Sequence, residues 1–193
     1  MCNLYQLEKS VDAVRRLFTE LQIPLTFPEG IPNFQPRNVR ITEQAPIVRW
    51  NSDRKTCELV ERRWSWPGPT GKPVFNMRSD GREFSRDRCL VIADSFFEFT
   101  TPADPKQKKK DCWQFRPDGD FAIAGLVRDD AGVGQAFTLL TVPPGEDIAP
   151  YHNRQIALLT PRHWRPWLDG SVSSKDLLGP CAAGTLHVGA AAT

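Results

Sequence analysis

The feature that most restricts the fold is a succession of strand-length apolar runs broken by short polar turns. Ile47-Val48-Arg49-Trp50 and the run from Cys57 to Trp64 flank a polar turn at Asn51-Ser52-Asp53-Arg54, which is a hairpin pattern. Runs at 89–93, 96–99, 112–116, 121–127, 137–142 and 155–159 follow. Apolar runs this short, bounded by turn residues, read as strands. Ala122, Ala124 and Gly125 predict close packing in one of them. Helix signals are fewer. Ser10 is a suitable N-cap, and Val11, Val14, Leu17, Phe18 and Leu21 recur at helical spacing, predicting a helix over about 11–22. Thr160-Pro161 opens a second, short helix through Trp164, Trp167 and Leu168. Few long crossovers separate the strands. The expected class is therefore α+β, with a compact, mainly antiparallel, barrel-like β core and peripheral helices.

Between these runs, residues 23–46 hold Pro24, Pro28, Pro32, Pro36 and Pro46 and read as an irregular wrap, pinned by Ile23, Leu25, Phe27, Ile31 and Phe34. Residues 76–81 read as a polar loop. After Gly170 the composition shifts to Ser, Ala and Gly, predicting a single domain over 1–170 and a partly irregular tail over 171–193. A chain of 193 residues, 40% hydrophobic, suits one core.

The cysteines, Cys2, Cys57, Cys89, Cys112 and Cys181, are odd in number and form no C-x-x-C pair. This argues against a disulfide framework and a zinc site, and for a reducing cytoplasm. No cofactor is expected, there being no phosphate-binding glycine motif and no H-E-x-x-H. No apolar run approaches the ~20 residues of a spanning helix, and Glu8, Lys9 and Asp12 interrupt any signal peptide. A net charge of +2 is too small to mark a nucleic-acid binder by itself, so a basic surface must come from clustering. Arg78, Arg82, Arg86 and Arg88 form one basic stretch, and Lys106 to Lys110 another.

Three positions stand out chemically. Cys2 follows the initiator methionine and is small enough to permit its removal. The product would carry an α-amine and a thiol on one carbon skeleton, able to condense with an aldehyde and close a thiazolidine. Both groups titrate near ~8 in model compounds. Glu98 lies inside Phe96-Phe97-Glu98-Phe99, where a carboxylate is neutralised, hydrogen-bonded or functional, or else lies on the polar face of a strand. His152 stands at a loop-to-strand junction in Tyr151-His152-Asn153-Arg154, open to acid–base work or to a structural role. Trp64 and Trp66 beside a Pro/Gly loop are either a core corner, the favoured reading, or an exposed stacking platform.

Together, Cys2, Asn76-x-Arg78, Cys89-Leu90 followed by Phe96-Phe97-Glu98, Phe121-Ala122-Ile123-Ala124-Gly125-Leu126 and Pro150-Tyr151-His152-x-Arg154 resemble the SOS response-associated peptidase family in order and spacing. The resemblance runs from Met1 to about Leu168. It implies a compact α+β domain around a barrel-like β core. It also implies an abasic-site processing protein that binds single-stranded DNA and traps the ring-opened aldehyde as a thiazolidine on Cys2 after Met1 is lost by self-processing. Strand-cleaving lyase activity and crosslink reversal are further activities that the resemblance implies. Residue by residue, the motif match implies Cys2 as nucleophile, Asn76 holding the sugar and the N-terminus, Glu98 as catalytic carboxylate, and His152 in ring opening and reversal. Arg78 is directed at DNA phosphate by the same match. Arg82 and Arg154 are further DNA-contact candidates, and Trp64 or Trp66 a base-stacking one. The implied setting is a monomer in the cytoplasm, associated with the nucleoid. The chain departs from the usual pattern at Asn3-Leu4 (glycine-arginine), Ser65 (glycine after the tryptophan), Ser95 (glycine), Phe99 (tryptophan) and Gln155-Ile156 (methionine-proline), marking a divergent member. Two other functions start from the same residues: an N-terminal cysteine peptidase or amidohydrolase, and a non-catalytic DNA-binding module. The downstream motifs do not fit the glutamine amidotransferases that also begin at cysteine.

Overall fold

The computed structural model describes residues 2–191. In chain order the elements are β1 (Leu4–Leu7), α1 (Val11–Glu20), β2 (Leu25–Thr26), β3 (Arg37–Arg40), β4 (Gln44–Asn51), β5 (Thr56–Trp64), β6 (Trp66–Pro67), β7 (Pro73–Val74), β8 (Asn76–Arg78) and β9 (Arg88–Ile92). They continue with β10 (Ser95–Thr100), β11 (Asp111–Pro117), β12 (Ala122–Asp130), β13 (Gly134–Val142), β14 (Gln155–Ile156), β15 (Leu158–Leu159), α2 (Pro161–Leu168), α3 (Ser174–Leu177) and β16 (Leu186–Ala190).

Strands β13, β12, β9, β4 and β5 are antiparallel neighbours in that order, and β5 then pairs with β13 in parallel, closing a barrel. The expected mainly antiparallel α+β barrel is thus the observed fold, with one parallel seam. The seam is short: Ala136 faces Arg63 and Phe137 faces Trp64. Beyond it β8 takes over as the parallel partner of β13, pairing Asn76 with Leu139 and Arg78 with Thr141. Residues 76–78, read as loop from their polarity, are therefore a strand, because β13 offers them a free edge. Close packing at the small residues is real: a Cβ on Gly125 would lie 2.8 Å from the Thr138 carbonyl oxygen and 2.9 Å from Cys89 Sγ.

A second sheet, in the order β16-β11-β10-β1-β3, is antiparallel throughout. Its inner face meets the barrel where the Tyr5 and Trp64 rings lie 5.2 Å apart. Three of its strands carry no clear signal in the sequence. β3 interrupts the expected wrap, β1 precedes the first helix, and β16 lies in the expected tail, where its pairing with β11 binds the chain end to the sheet. The helices pack outside. Trp167 of α2 donates from Nε1 to the Cys89 carbonyl at 2.9 Å, and Phe18 of α1 meets Trp164 at 5.3 Å. Arg88 does not share the exposure of the other arginines in its basic stretch. It is buried and donates to the carbonyls of Phe84, Trp167 and Val172, which holds α2 and the segment after it against β9.

At the seam β5 must turn away, and Ser65 makes that turn at φ 85°. This left-handed region costs a non-glycine residue ~1–2 kcal/mol, which is the physical reason glycine suits the position. The Ser65 hydroxyl is also buried without a hydrogen-bond partner. Ser65→Gly is therefore expected to stabilise the fold by about 1 kcal/mol, net of the extra unfolded-state entropy of glycine. The check is the urea midpoint of unfolding, and an unchanged or lower midpoint would contradict the strain.

Candidate active site

Cys2 lies two residues before the start of β1 and is almost completely buried. The antiparallel register of β1 on β10, with Tyr5 opposite Phe96, leads the chain start alongside Phe97 and Glu98. The Cys2 thiol donates to the Leu4 carbonyl at 3.2 Å. Burial, with the Glu98 charge adding to it, pushes the thiol up to about 12, so at neutral pH it is held as S–H.

Asn76 approaches from the barrel side. Its pairing opposite Leu139 fixes the backbone, and its Nδ2 donates to the Cys2 carbonyl at 2.7 Å. Its Oδ1 is buried with no hydrogen-bond partner. A buried acceptor in that state is costly unless a donor arrives. Asn76 thus presents a free carbonyl oxygen next to Cys2.

Glu98 is 2% exposed. On β10 it shares the inner face with Phe96, and its cross-strand neighbour is Trp113. Burial raises its carboxyl to about 7. A group with that value is present in both protonation states near neutral pH, as acid–base work requires.

His152 reaches the same region through an aromatic contact. Tyr151 packs on Trp113 at 4.9 Å and edge-on to Phe115 at 5.3 Å, which holds the His152 loop against β11, the strand paired with the Glu98 strand. Main-chain bonds from Tyr151 and His152 to the carbonyl of buried Ile148 hold the loop. His152 Nδ1 lies 2.9 Å from the Arg154 main-chain nitrogen and 3.1 Å from the Arg154 carbonyl oxygen, so it accepts from the first in one tautomer and donates to the second in the other. Burial lowers the imidazole below its ordinary value, so it is neutral at pH 7.

The remaining candidates divide. Arg78 and Arg82 are exposed, at and just beyond the end of β8. Arg154 is turned inward instead. Its guanidinium donates to the Thr141 carbonyl at 2.7 Å and meets Asp80 at 2.6 Å, which lowers the Asp80 carboxyl. It ties the histidine loop to β13, whereas Arg78 and Arg82 stand in solvent. Trp64 and Trp66 take the favoured of their two readings and leave the base-stacking one aside: both are buried, Trp64 donating from Nε1 to the Phe75 carbonyl at 2.9 Å and Trp66 covered by the Arg128 guanidinium at 4.6 Å. They are the core corner, not a platform. The aromatic pair Trp113–Tyr151 was not expected from the sequence, although counting across the β10–β11 hairpin would have set Trp113 against Glu98. On the other face of β10 an open groove of about 470 Å³ runs past Asn3, Leu4, Arg40, Phe97 and Phe99. The Asn3-Leu4 departure therefore forms a groove wall. Met1, whose loss the chemistry of Cys2 requires, lies outside the described residues.

The whole-chain comparison decides the family, since the model described as SOS response associated peptidase matches residues 1–190. The chain belongs to that family. Among its relatives are two Bacillus subtilis (strain 168) proteins, "Abasic site processing protein YobE", 24% identical over 92% of this chain and 86% of the relative, and "Abasic site processing protein YoaM", 25% identical over 92% and 83%. Among solved structures, a Bordetella bronchiseptica protein superposes with a TM-score of 0.74 at 19% identity, covering all of both chains. A Bacteroides thetaiotaomicron protein superposes at 0.73 and 17%, covering all of this chain and 93% of the other. These two likenesses establish the fold this family member shares. Among the described residues no helix is long and apolar enough to cross a membrane, and no group of three or more His, Cys, Asp or Glu is placed to hold a metal.

The raised Glu98 carboxyl carries a stability signature. Its folded value, about 7, lies above the ordinary carboxyl value. The folded state thus binds the extra proton between the two, and stability is lost as pH rises from about 4.5 through 7. A shift of that size corresponds to about 3 kcal/mol. Glu98→Gln is expected to remove this slope and to be the more stable form at pH 8. Urea unfolding of both proteins from pH 4.5 to 8 measures it, and parallel pH profiles would disprove it.

Proposed function

We propose that this protein processes abasic sites in single-stranded DNA, capturing the sugar aldehyde covalently through Cys2 once Met1 has gone. The observation that carries the reading is the convergence at the chain start of a buried thiol, a carboxyl tuned to about 7 and an asparagine on the Cys2 carbonyl. The names of the curated relatives support the substrate.

The chemistry follows from the protonation states. The closed deoxyribose must open, which takes a proton from the C1 hydroxyl and gives one to the ring oxygen. His152, held neutral by burial, assists this step and the reversal that frees the trapped sugar. The freed Cys2 α-amine then adds to the aldehyde carbon. Glu98 in its acid form gives the proton with which water leaves, forming the C=N bond. The thiol adds last: sulfur bonds to that carbon, and its proton passes to nitrogen, closing the thiazolidine. A thiol held as S–H is a poor free nucleophile, so the amine acts first. The free Oδ1 of Asn76 suits a donor from the terminal amine or the sugar. Arg78 and Arg82, exposed at and beyond the end of β8, are the phosphate contacts in this reading. Loss of Met1 is by self-cleavage, which accounts for the peptidase in the family's description. The protein acts as a monomer in the cytoplasm, associated with the nucleoid.

Incubation with single-stranded DNA bearing one abasic site should give a slow band on a denaturing gel. That band should vanish in Cys2→Ala and, equally, in a protein carrying an uncleaved N-terminal extension, because amine and thiol act together. A band that persists in either would overturn the reading. His152→Ala should slow release of the trapped DNA more than it slows trapping. A His152→Ala protein that binds DNA normally yet never crosslinks would contradict that role.

A further inference from the structure

The β10–β11 hairpin extends past the site. Its last ladder pair is Thr100 with Asp111, and the tip beyond carries Lys106, Lys108, Lys109 and Lys110, all exposed. Among the described residues none of these lysines enters an ion pair. The nearest acids are engaged with main chain or amide: Asp104 accepts from the Lys106 N–H, and Asp111 from Gln107 Nε2. The tip is held in shape by these bonds while its ammonium groups stay in solvent. Exposed like charges in one short loop repel one another, so the arrangement stores a field that an anion relieves.

A cleft of about 590 Å³ runs from Lys108–Lys110 to Cys112 and Trp113, with Ala190 and Ala191 along its far side. Trp113 is the cross-strand neighbour of Glu98. At ~3.4 Å per strand residue, Lys110 stands roughly 10 Å from the Trp113–Glu98 pair. The positive charge is thus continuous with the site and lies on one side of it, whereas Arg78 and Arg82 lie at and beyond the end of β8.

We propose that the lysine hairpin is a phosphate rail, binding the sugar–phosphate backbone of the DNA strand that flanks the captured nucleotide. The proposal rests on the abasic-site reading for which strand is bound, and it concerns affinity, not chemistry. Its contacts are ionic and independent of base identity.

The test compares the full chain with a variant in which Lys106, Lys108, Lys109 and Lys110 are all replaced by glutamine, and with Arg54→Gln/Lys55→Gln, which removes exposed positive charge at the β4–β5 turn. Binding to unmodified and abasic single-stranded oligonucleotides is measured from 50 to 300 mM salt. Every lysine–phosphate pairing removed lowers the slope of log affinity against log salt by about 0.7 for single strands, so the lysine variant, with two to four pairings lost, should lose about 1.4–2.8 from the slope and bind about tenfold or more weakly at 50 mM. Its crosslinking rate at saturating abasic DNA should equal that of the parent, and Arg54→Gln/Lys55→Gln should keep the parent slope. An unchanged slope in the lysine variant, or an equal loss in the control variant, overturns the rail. The two readings separate cleanly. A parent that binds DNA with lysine-dependent slope but forms no covalent band defeats the proposed chemistry alone. A parent that crosslinks while the lysine variant keeps its slope defeats the rail alone.

Discussion

The architecture depends on a short parallel contact, the pairing of Arg63 and Trp64 with Ala136 and Phe137 that closes the barrel. Because β5 leaves at Ser65, the rest of β13 needs another partner, and β8 supplies it, bringing Asn76 to the seam. Further along β13 the Thr141 carbonyl accepts from the Ser79 main-chain N–H, the Ser79 hydroxyl and Arg154 Nη2. One carbonyl thereby joins the end of β8 to the loop that presents His152. The barrel and the second sheet deliver different members of the site, asparagine from one and Cys2 and Glu98 from the other.

The site is tuned by one cause acting on unlike groups. Burial disfavours charge, so it raises the Cys2 thiol and the Glu98 carboxyl and lowers the His152 imidazole. Near neutral pH the thiol and imidazole are uncharged, and the carboxyl is balanced between its forms. Such a set can pass protons without gathering net charge in a low-dielectric space, where unpaired charge is expensive. The charges that could meet a polyanion are held at the rim, on Arg78, Arg82 and the lysine hairpin.

Much of the fold was legible because strand periodicity is local. The runs that form β4, β5, β9, β10, β11, β12 and β13 announce themselves by apolar residues between turn signals. The strands that were not legible are those whose stability is borrowed from a distant partner: Asn76–Arg78 from β13, Arg37–Arg40 from β1, Leu186–Ala190 from β11. Cys2, Glu98 and His152 could be picked from chemistry and context, but the direction in which Arg154 and the tryptophans point could not. Arg154 turns inward because Asp80 and Thr141 receive it. Trp64 is buried because the second sheet brings Tyr5 over it. Both are facts of tertiary packing that no spacing encodes.

The burial of Cys2 also bears on how long the molecule stays usable. Peroxide and disulfides react with thiolate, and a thiol pushed up to about 12 offers almost none at cellular pH. A side chain 1% exposed is in addition out of reach of bulky oxidants. The same packing that makes the thiol slow therefore preserves it. In the proposed capture the thiol closes only onto a carbon already joined to the neighbouring nitrogen, so that selectivity is gained by withholding the nucleophile rather than by sharpening it.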